Sequence, residues 1–288
     1  MIIIDEFRLD VIENIKEALE AGDFYAKVEV NDPVLTLPER NRMLKKVVRR
    51  RHYPTYKAKR RIARKMANMA SRSVNKKTKI IGIEKLDSVK SGAIMTSNHF
   101  SPIENSMVRM IALREGKKYL PIVIQETNVA MTGMVGFLMN YADTLPISVG
   151  RRYIKKFFEP QIKKYLKKKK FVLIYPEQEM WFNYRKPRPG KRGPYYFAAK
   201  NNVPVISCFV EIRDTEKKLD ENFYDVEYIT HILDVIYPDP NKTVRANSII
   251  MRDKDDELRR NAYETIYGKK LDYTFDVSDI AGWIGHKE

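Results

Sequence analysis

The chain has 288 residues, a length that allows one large hydrophobic core, or one core with a small appendage. Hydrophobic residues make up 43% and charged residues 32% of the chain, and this composition excludes a globally disordered protein. The one cysteine, Cys208, excludes an intrachain disulfide and a cysteine-based zinc cluster. It lies in an apolar run, as a buried core cysteine does.

The distribution of apolar residues bears on the location of the protein. No run of about 18 apolar residues occurs, so we expect no single membrane-spanning helix. The apolar start, Met1–Ile4, is followed at once by Asp5 and Glu6, so we expect no signal peptide. These features predict a cytoplasmic, reducing location.

The charge is concentrated in one part of the chain. The formal net charge is +17, and the segment Arg40–Lys79 holds 17 lysine and arginine residues with no acidic residue. The other 37 basic residues are balanced by 37 acidic ones. A second cluster, Arg151–Lys170, has ten basic residues against the single Glu159. Charge localised in this way indicates an anionic partner: nucleic acid, an anionic bilayer or an acidic protein.

The N-terminal third reads as helical. Hydrophobic periodicity predicts an acidic amphipathic helix over residues 4–21, and a short extended piece follows at 25–30. Pro54 divides the basic segment into two predicted helices, 39–51 and 55–74. On the second of these helices, one face carries Ile62, Met66, Met69 and Ser73.

Beyond Lys79, short apolar runs alternate with helical patterns. The predicted strands are 79–83, 92–97, 119–125, 144–148, 171–175, 203–210 and 222–237. The predicted helices are 102–115, 132–141, 152–169, 194–201 and 253–268. This alternation predicts an α/β fold with a mostly parallel central sheet covered by helices on both faces. We therefore expect an N-terminal basic helical region over residues 1–78 and an α/β domain over residues 79–288.

His99 stands out because it follows a predicted strand and precedes a predicted helix, and strand ends of this kind are where open α/β sheets usually build their sites. Glu104 is five residues away, about 140° around a regular helix, so the two side chains meet only if the chain turns between them. Ser101 and Pro102 supply that turn. A carboxylate holding the imidazole Nδ1–H leaves Nε2 free to accept a proton.

Glu104 also has a purely structural interpretation. Residues 101–104 form a capping-box sequence, in which the carboxylate of Glu104 bonds back to the amide of Ser101. Spacing alone does not choose between a capping role and a catalytic role, and both remain open at this point.

Downstream segments favour the catalytic interpretation. Three of them are strands with distinctive ends: 144–152, 172–177 and 203–207. In this order and spacing, with His99 and Glu104 at their head, they resemble the four sequence blocks of the glycerolipid (lysophospholipid) acyltransferase family. The resemblance covers roughly residues 79–240, and it includes a helix-forming phrase at 191–198.

The resemblance implies the chemistry and the roles of several residues. His99 would be the catalytic base, and Glu104 would take the place of the family's usual aspartate and orient it. Arg151 or Arg152 would bind the head group of the acceptor, and Glu177 would help to form the acceptor site. A hydroxyl would attack the acyl thioester of coenzyme A or acyl carrier protein as co-substrate, with no bound cofactor, no metal and no covalent enzyme intermediate.

The third block departs from the family pattern. The family usually has phenylalanine-proline-glutamate-glycine-threonine-arginine, whereas this chain has Tyr175-Pro-Glu-Gln-Glu-Met180, so the glycine and the arginine are missing. An acidic Glu179 where phosphate is commonly held argues against simple phosphate recognition. Basic residues that follow, including Arg185 and Lys191, either compensate as substrate-binding residues or form a solvated basic loop.

The basic segment is best explained as a membrane-docking element. Basic helices with apolar residues on one face lie in the headgroup layer, where each lysine or arginine near anionic lipid contributes about 1 kcal/mol. The residues predicted to bind the membrane are Arg49, Arg50, Arg60, Arg61 and Lys65. We therefore expect a peripheral protein on the cytoplasmic side of an anionic membrane. The lysines of the Arg151–Lys170 helix would face the bilayer or an acidic acyl carrier protein.

The sequence thus predicts an acyltransferase that moves a fatty acyl group from a thioester to a hydroxyl of a lysolipid or related lipid acceptor at the membrane surface. Two alternatives remain. The basic charge also suits nucleic acid, but no zinc finger, RNA-recognition signature or helix-turn-helix cue is recognisable, so we expect no nucleic acid partner. A catalytically inactive membrane-binding homologue is the other alternative, because of Glu104 and the altered third block.

Overall fold

The structure is a computed structural model and describes residues 7–30 and 33–285. The Met1–Ile4 segment and the first residues of the helix predicted over 4–21 lie outside the described residues. No helix in these two ranges is long and apolar enough to cross a bilayer.

The helices follow the predicted order. They are α1 (Arg8–Glu20), α2 (Leu37–Arg50), α3 (Pro54–Val74), α4 (Asn105–Arg114), α5 (Gly133–Tyr141), α6 (Arg151–Tyr153), α7 (Glu159–Lys167), α8 (Gly193–Lys200) and α9 (Val244–Tyr267). A π-helical turn, Ile154–Phe158, joins α6 to α7. Short 3₁₀ helices lie at Ile83–Ser88, Glu126–Ala130 and Val277–Asp279.

The strands form a mixed sheet that is mostly parallel, as predicted. They are β1 (Lys79–Ile81), β2 (Ala93–Thr96), β3 (Ile122–Gln125), β4 (Thr144–Ile147), β5 (Phe171–Leu173), β6 (Val205–Lys218) and β7 (Tyr224–Ile236). Their order is β1-β7-β6-β2-β5-β3-β4, and only the β6–β7 pair is antiparallel. Residue Met95 aligns with Leu173 on one side and with Ile206 on the other, which places β2 in the interior of the sheet.

Helices cover both faces of this sheet, which explains why its strands are continuous apolar runs. Ile94 faces a buried cluster that includes Ile162 of α7 and Met251 of α9. The next residue, Met95, faces a second cluster that includes Val108 of α4. Because successive strand residues point to opposite faces, β2 is buried at every position and holds the chain that follows it rigidly.

The helix α1 packs on a smaller apolar cluster away from the sheet. Ile12 and Ile15 lie against Trp181, Phe223 and Ile280. The extended piece predicted at 25–30 is not part of the sheet, and its Ala26 carbonyl accepts a hydrogen bond from Trp181 Nε1 at 3.0 Å. The N-terminal helix therefore contacts the loop after β5.

The helix α3 is tied to the α/β part by buried charge. Asp143, whose side chain is fully buried, accepts from Arg60 Nε at 2.9 Å and from Arg64 Nε at 2.6 Å. The acidic partner of these two arginines thus comes from outside the basic segment. The helix packs against α4 and α5, while the predicted division of the chain after residue 78 stays a prediction.

Candidate active site

The chain that leaves β2 is locked in place before it reaches His99. The buried Asn98 side chain pairs with the backbone of Val210 on β6: its Oδ1 accepts from the amide at 2.8 Å, and its Nδ2 donates to the carbonyl at 3.0 Å. On the other side, the His99 carbonyl accepts from the Trp181 amide at 3.0 Å. The backbone of His99 is therefore held between β6 and the loop after β5.

His99 and Glu104 are in direct contact. The Nδ1 atom of His99 lies 2.5 Å from Oε1 of Glu104, and the side chain of Glu104 is 2% exposed while that of His99 is 20% exposed. The other carboxylate oxygen, Oε2, accepts the backbone amides of Phe100 and Ser101, both at 2.5 Å. A carboxylate fixed by two amides favours the tautomer in which Nδ1 carries the proton and Nε2 has the free lone pair.

This geometry combines the two interpretations of Glu104. The bond to the Ser101 amide confirms the carboxylate half of the predicted capping box. The other half differs, because Ser101 Oγ accepts from the Ile103 amide at 3.4 Å, and α4 begins at Asn105 rather than at residue 102. Residues 101–104 form a tight turn instead, which brings the carboxylate back to Nδ1 of the imidazole.

The imidazole is stacked on Tyr175, at the end of β5. The ring centroids of His99 and Tyr175 are 4.1 Å apart and their planes are 8° from parallel. Burial first, and then the charge of Glu104, raises the pKa of Tyr175 well above its ordinary value, so this phenol stays neutral. The stacked tyrosine therefore fixes the orientation of the imidazole ring without adding a charge. Tyr175 belongs to the third block, but the sequence pattern alone predicts no role for it.

Glu177 has an internal position. Its Oε1 accepts from Arg259 Nη1 at 2.9 Å and from the Arg188 amide at 3.2 Å. Its Oε2 accepts from the His99 amide at 3.2 Å and also lies 3.2 Å from Arg188 Nη2. All three side chains are buried. The carboxylate thus connects the backbone of His99 to α9, and this arrangement favours a positioning role over direct contact with an acceptor.

The arginines behind Glu177 were missed by sequence analysis as members of the site. Arg188 lies in the basic stretch between Arg185 and Lys191, and Arg259 lies on α9, far along the chain. The guanidinium of Arg188 also lies over the Trp181 ring, 4.3 Å from its centroid. No local pattern distinguishes these arginines from the many surface ones. Their roles depend on pairing across 11 and 82 residues of sequence.

The predicted headgroup arginines lie at the same edge of the sheet as His99. Arg151 and Arg152 follow β4, and both are exposed. Because β2, β5, β3 and β4 run parallel in that spatial order, their carboxyl ends line one edge, and three strand spacings amount to about 14 Å. The structure therefore brings these arginines to the same edge as His99 without placing them in contact with it.

The two other predicted substrate-binding residues, Arg185 and Lys191, lie in different parts of the structure. Arg185 is turned away from this edge, with Nη2 2.6 Å from Asp214 and Nη1 2.5 Å from the Ser278 carbonyl. Lys191 is exposed, and its Nζ lies 3.3 Å from the centroid of the Tyr25 ring. Its amide donates to the Pro176 carbonyl at 2.9 Å, so only Lys191 is held beside the motif that carries Glu177.

The altered third block has an unusual backbone. Gln178 has a φ of 67°, a left-handed conformation that glycine adopts without strain and other residues adopt at a cost of about 1 to 2 kcal/mol. The turn is thus the one that the family's glycine suits, although glycine is missing here. No three His, Cys, Asp or Glu side chains in residues 7–30 and 33–285 are grouped so as to hold a metal ion.

The five predicted membrane-binding residues point in two directions. Arg49, Arg61 and Lys65 are exposed. Arg50 lies over the Tyr141 ring, 5.3 Å from its centroid, and Arg60 is bound to Asp143. The inward arginines serve to attach the basic helices to the α/β part.

A histidine–carboxylate pair at a strand end within a mostly parallel α/β sheet defines a candidate acid–base site, and the family comparison gives its class. The model of the acyltransferase family matches residues 77–211, which include His99, Glu104, Glu177, Arg151 and Arg152. The matched segment, a little under half of the chain, is an acyltransferase-family domain, and we describe the protein as an O-acyltransferase. No curated protein sequence matches the chain.

Among solved structures, one similar chain is the 1-acyl-sn-glycerophosphate (LPA) acyltransferase PlsC from Thermotoga maritima. The two sequences are 13% identical, and the superposition has a TM-score of 0.48 and covers 92% of this chain and 98% of that one.

Proposed function

We propose that the protein transfers a fatty acyl group from a thioester, acyl coenzyme A or acyl-acyl carrier protein, to a hydroxyl of a lysolipid or related lipid acceptor at a membrane surface. The observation that carries this proposal is the 2.5 Å contact between His99 Nδ1 and Glu104 Oε1. It leaves His99 Nε2 without a hydrogen-bond partner among the described residues, at a partly exposed position.

The reaction needs one base and no bound cofactor. His99 Nε2 takes the proton of the acceptor hydroxyl as its oxygen attacks the thioester carbonyl, and a tetrahedral oxyanion forms. When that intermediate collapses, the carbon–sulfur bond breaks and the imidazolium returns the proton to the leaving thiolate. Glu104 stabilises the imidazolium between these two steps, and the neutral Tyr175 keeps the orientation of the His99 ring fixed.

The oxyanion must be stabilised by donors other than the nearest amides. The amides of Phe100 and Ser101 already donate to Glu104 Oε2, and that of Glu104 donates to the Ser101 carbonyl at 3.2 Å. In our proposal, Arg151, Arg152 and Lys191 bind anionic groups of the two substrates at the open edge of the sheet.

Docking to an anionic membrane is the second part of the proposal. On the outer side of α3, Ile62 and Met69 are each 56% exposed and Met66 is 36% exposed. The exposed Arg61 and Lys65 immediately precede Ile62 and Met66 in the sequence. Apolar residues flanked by basic ones suit the headgroup layer of an anionic bilayer. We place this surface on the cytoplasmic side.

The end of α3 lies next to the candidate site. Asn75 follows α3, and its Nδ2 donates to Ser106 Oγ at 2.9 Å. Ser106 is two residues beyond Glu104. A helix lying in the headgroup layer would therefore keep the His99 turn close to the lipid that carries the acceptor hydroxyl.

The proposal is tested by identifying the product. Purified protein is incubated with isotope-labelled acyl coenzyme A or acyl-acyl carrier protein and a total extract of lysolipids on anionic vesicles, and the lipids are analysed by mass spectrometry. We expect a labelled diacyl lipid that requires His99. Transfer of the label to water alone, or no transfer from either donor, would contradict the proposal.

A further inference from the structure

Glu179 lies beside His99 in the loop after β5. Its amide donates to the Glu177 carbonyl at 2.9 Å, and two residues later the Trp181 amide donates to the His99 carbonyl at 3.0 Å. Its carboxylate extends the other way, toward the end of β3, where Oε1 accepts from Gln125 Nε2. Glu179 therefore lies between the carboxyl ends of β5 and β3, on the side of His99 that leads to Arg151 and Arg152.

The carboxylate of Glu179 forms no ion pair with any residue that the structure describes. No lysine, arginine or histidine nitrogen in residues 7–30 and 33–285 lies within 4.0 Å of it. Its neighbours at this edge differ, because Glu177 pairs with two arginines and Glu126 lies 3.7 Å from Arg40. Glu179 is partly exposed. One oxygen is thus held by a neutral amide, and the other is left to accept.

Arg188 does not neutralise Glu179 by direct contact. Its Nη2 donates to the backbone carbonyl of Glu179 and lies 3.2 Å from Glu177 Oε2, and its Nη1 donates to the Phe24 carbonyl at 3.0 Å. This guanidinium is fully buried and already engaged. Arg188 therefore acts on the charge of Glu179 only through space, and the carboxylate of Glu179 keeps its charge available to a ligand at this edge of the sheet.

We infer that Glu179 selects an acceptor lipid whose head group carries a primary ammonium, and that it disfavours a phosphate monoester. An ammonium donates up to three hydrogen bonds and forms a charge-assisted bond with the free carboxylate oxygen. A phosphate monoester carries nearly two negative charges and is repelled there. Arg151 and Arg152 remain for an anionic group of the same lipid. This inference rests on the proposed acyl transfer.

The test compares lipid acceptors with different head groups. Lysophosphatidylethanolamine and an amino-acid-linked hydroxy-fatty amide both offer a primary ammonium, on different backbones. Lysophosphatidylglycerol has the same phosphodiester without an amine, lysophosphatidylcholine has a cation without N–H groups, and lysophosphatidate is a phosphate monoester. The values of kcat/KM are measured for each acceptor with the wild type, with Glu179→Gln, and with Glu216→Gln as an exposed control that removes the same charge.

We expect the wild type to prefer the ammonium acceptors over lysophosphatidate and lysophosphatidylglycerol. We expect Glu179→Gln to lower kcat/KM for the ammonium acceptors by about tenfold to a hundredfold, mainly through KM, because it loses a hydrogen bond to a charged group. The amide oxygen of that variant still accepts from Gln125, so the loop keeps its contact. The variant Glu216→Gln should match the wild type.

Two other outcomes separate the inference from the proposed function. If lysophosphatidate is acylated at least as well as the ammonium acceptors, or if Glu179→Gln leaves their ratio unchanged, the inference fails while acyl transfer stands. If no acceptor is turned over, or if turnover does not require His99, both fail.

Discussion

The two oxygens of Glu104 perform different tasks. Oε1 faces the imidazole, and Oε2 closes the turn by accepting two amides. The sequence predicted the contact with His99 and the capping contact as alternatives, because spacing alone describes one partner at a time. The turn at 101–104 allows both, since it brings the backbone amides and the imidazole to opposite oxygens of one carboxylate.

Substitution of Glu104 should separate these tasks. In Glu104→Gln the amide oxygen can still accept from Phe100 and Ser101, which turns the NH₂ group toward His99. The imidazole then accepts at Nδ1 and carries its proton on Nε2, the wrong tautomer for a base. We expect kcat to fall by about 10²- to 10⁴-fold, with a melting temperature close to that of the wild type.

Glu104→Asp is the matched comparison, because it keeps the charge and shortens the side chain by one methylene. We expect it to keep activity within about tenfold of the wild type. Equal and small losses of kcat in the two variants would show that the carboxylate serves the turn alone.

Glu126 gives a prediction about pH and stability. Burial raises the pKa of Glu126 above its ordinary value, and Arg40 opposes this only in part. The folded state therefore holds the proton more tightly than the unfolded state, so the stability that Glu126 contributes is present at low pH and is lost as the pH rises through its folded pKa. We expect Glu126→Gln to be more stable than the wild type to urea at pH 7.

The higher stability of Glu126→Gln should shrink as the pH is lowered to about 4, where the wild-type carboxyl becomes protonated in both the folded and the unfolded state. Urea unfolding at the two pH values measures it. A Gln variant that is less stable than the wild type at pH 7 would mean that the contact with Arg40 outweighs burial.

At the scale of elements, α3 has two faces with different chemistry. Sequence periodicity correctly grouped Ile62, Met66 and Met69 on one face, and all three are exposed. It did not distinguish the arginines that turn inward from those that remain outside, since both are spaced as on any basic helix. The buried Asp143, 79 residues beyond Arg64, makes that distinction.

The link between α3 and Asp143 should be a large contribution to stability. Asp143 has a φ of 65°, which asparagine tolerates. Asp143→Asn therefore keeps the backbone but leaves Arg60 and Arg64 with no carboxylate. Removing one partner of a buried ion pair costs about 3 to 5 kcal/mol, and we expect a loss of that size with faster amide exchange across 54–74.

The control is Asp225→Asn, which breaks an exposed pair with Lys217 at 3.2 Å. An exposed pair contributes about 0 to 1 kcal/mol. If both variants lose the same small amount of unfolding free energy in urea, the Asp143 pairs do not anchor α3.

The outer face of α3 is tested by membrane binding. The double variant Ile62→Ser, Met69→Ser removes two side chains that are each 56% exposed, and we expect it to bind anionic vesicles at least tenfold more weakly than the wild type in cosedimentation. Ile250→Ser, at a 47% exposed position on α9, is the control. Equal binding of both variants, or a preference of the wild type for DNA over vesicles, would contradict docking through α3.

At the scale of the whole molecule, most elements could be predicted from the sequence. Strands that are buried on both faces are apolar runs with clear ends, and the boundaries of β2 and β4 differ from the prediction by one residue or less. Features that depend on tertiary contacts were predicted less well. β6 runs to Lys218 instead of residue 210 because it pairs with β7, and α9 begins at Val244, nine residues before the predicted start.

In the candidate site, too, the residues that depend on tertiary contacts could not be predicted from the sequence. His99, Glu104 and the motif of Glu177 could be predicted because they lie in short segments at strand ends. The contacts that hold these residues in position could not be predicted, because Arg259 reaches Glu177 from α9 and Asn98 pairs with Val210 on β6. These contacts join residues that are 82 and 112 positions apart, and only the folded sheet brings them together.

The most direct test compares two histidines that each contact a glutamate. His231 Nε2 lies 2.7 Å from Glu211 Oε2, and Glu211 points to the opposite face of β6 from Val210, the residue that holds the turn of His99. We measure acyl transfer by His99→Ala and His231→Ala at matched amounts of folded protein. The proposed function predicts that kcat falls about 10²- to 10⁴-fold in His99→Ala and stays within twofold of the wild type in His231→Ala. Full turnover by His99→Ala would contradict it.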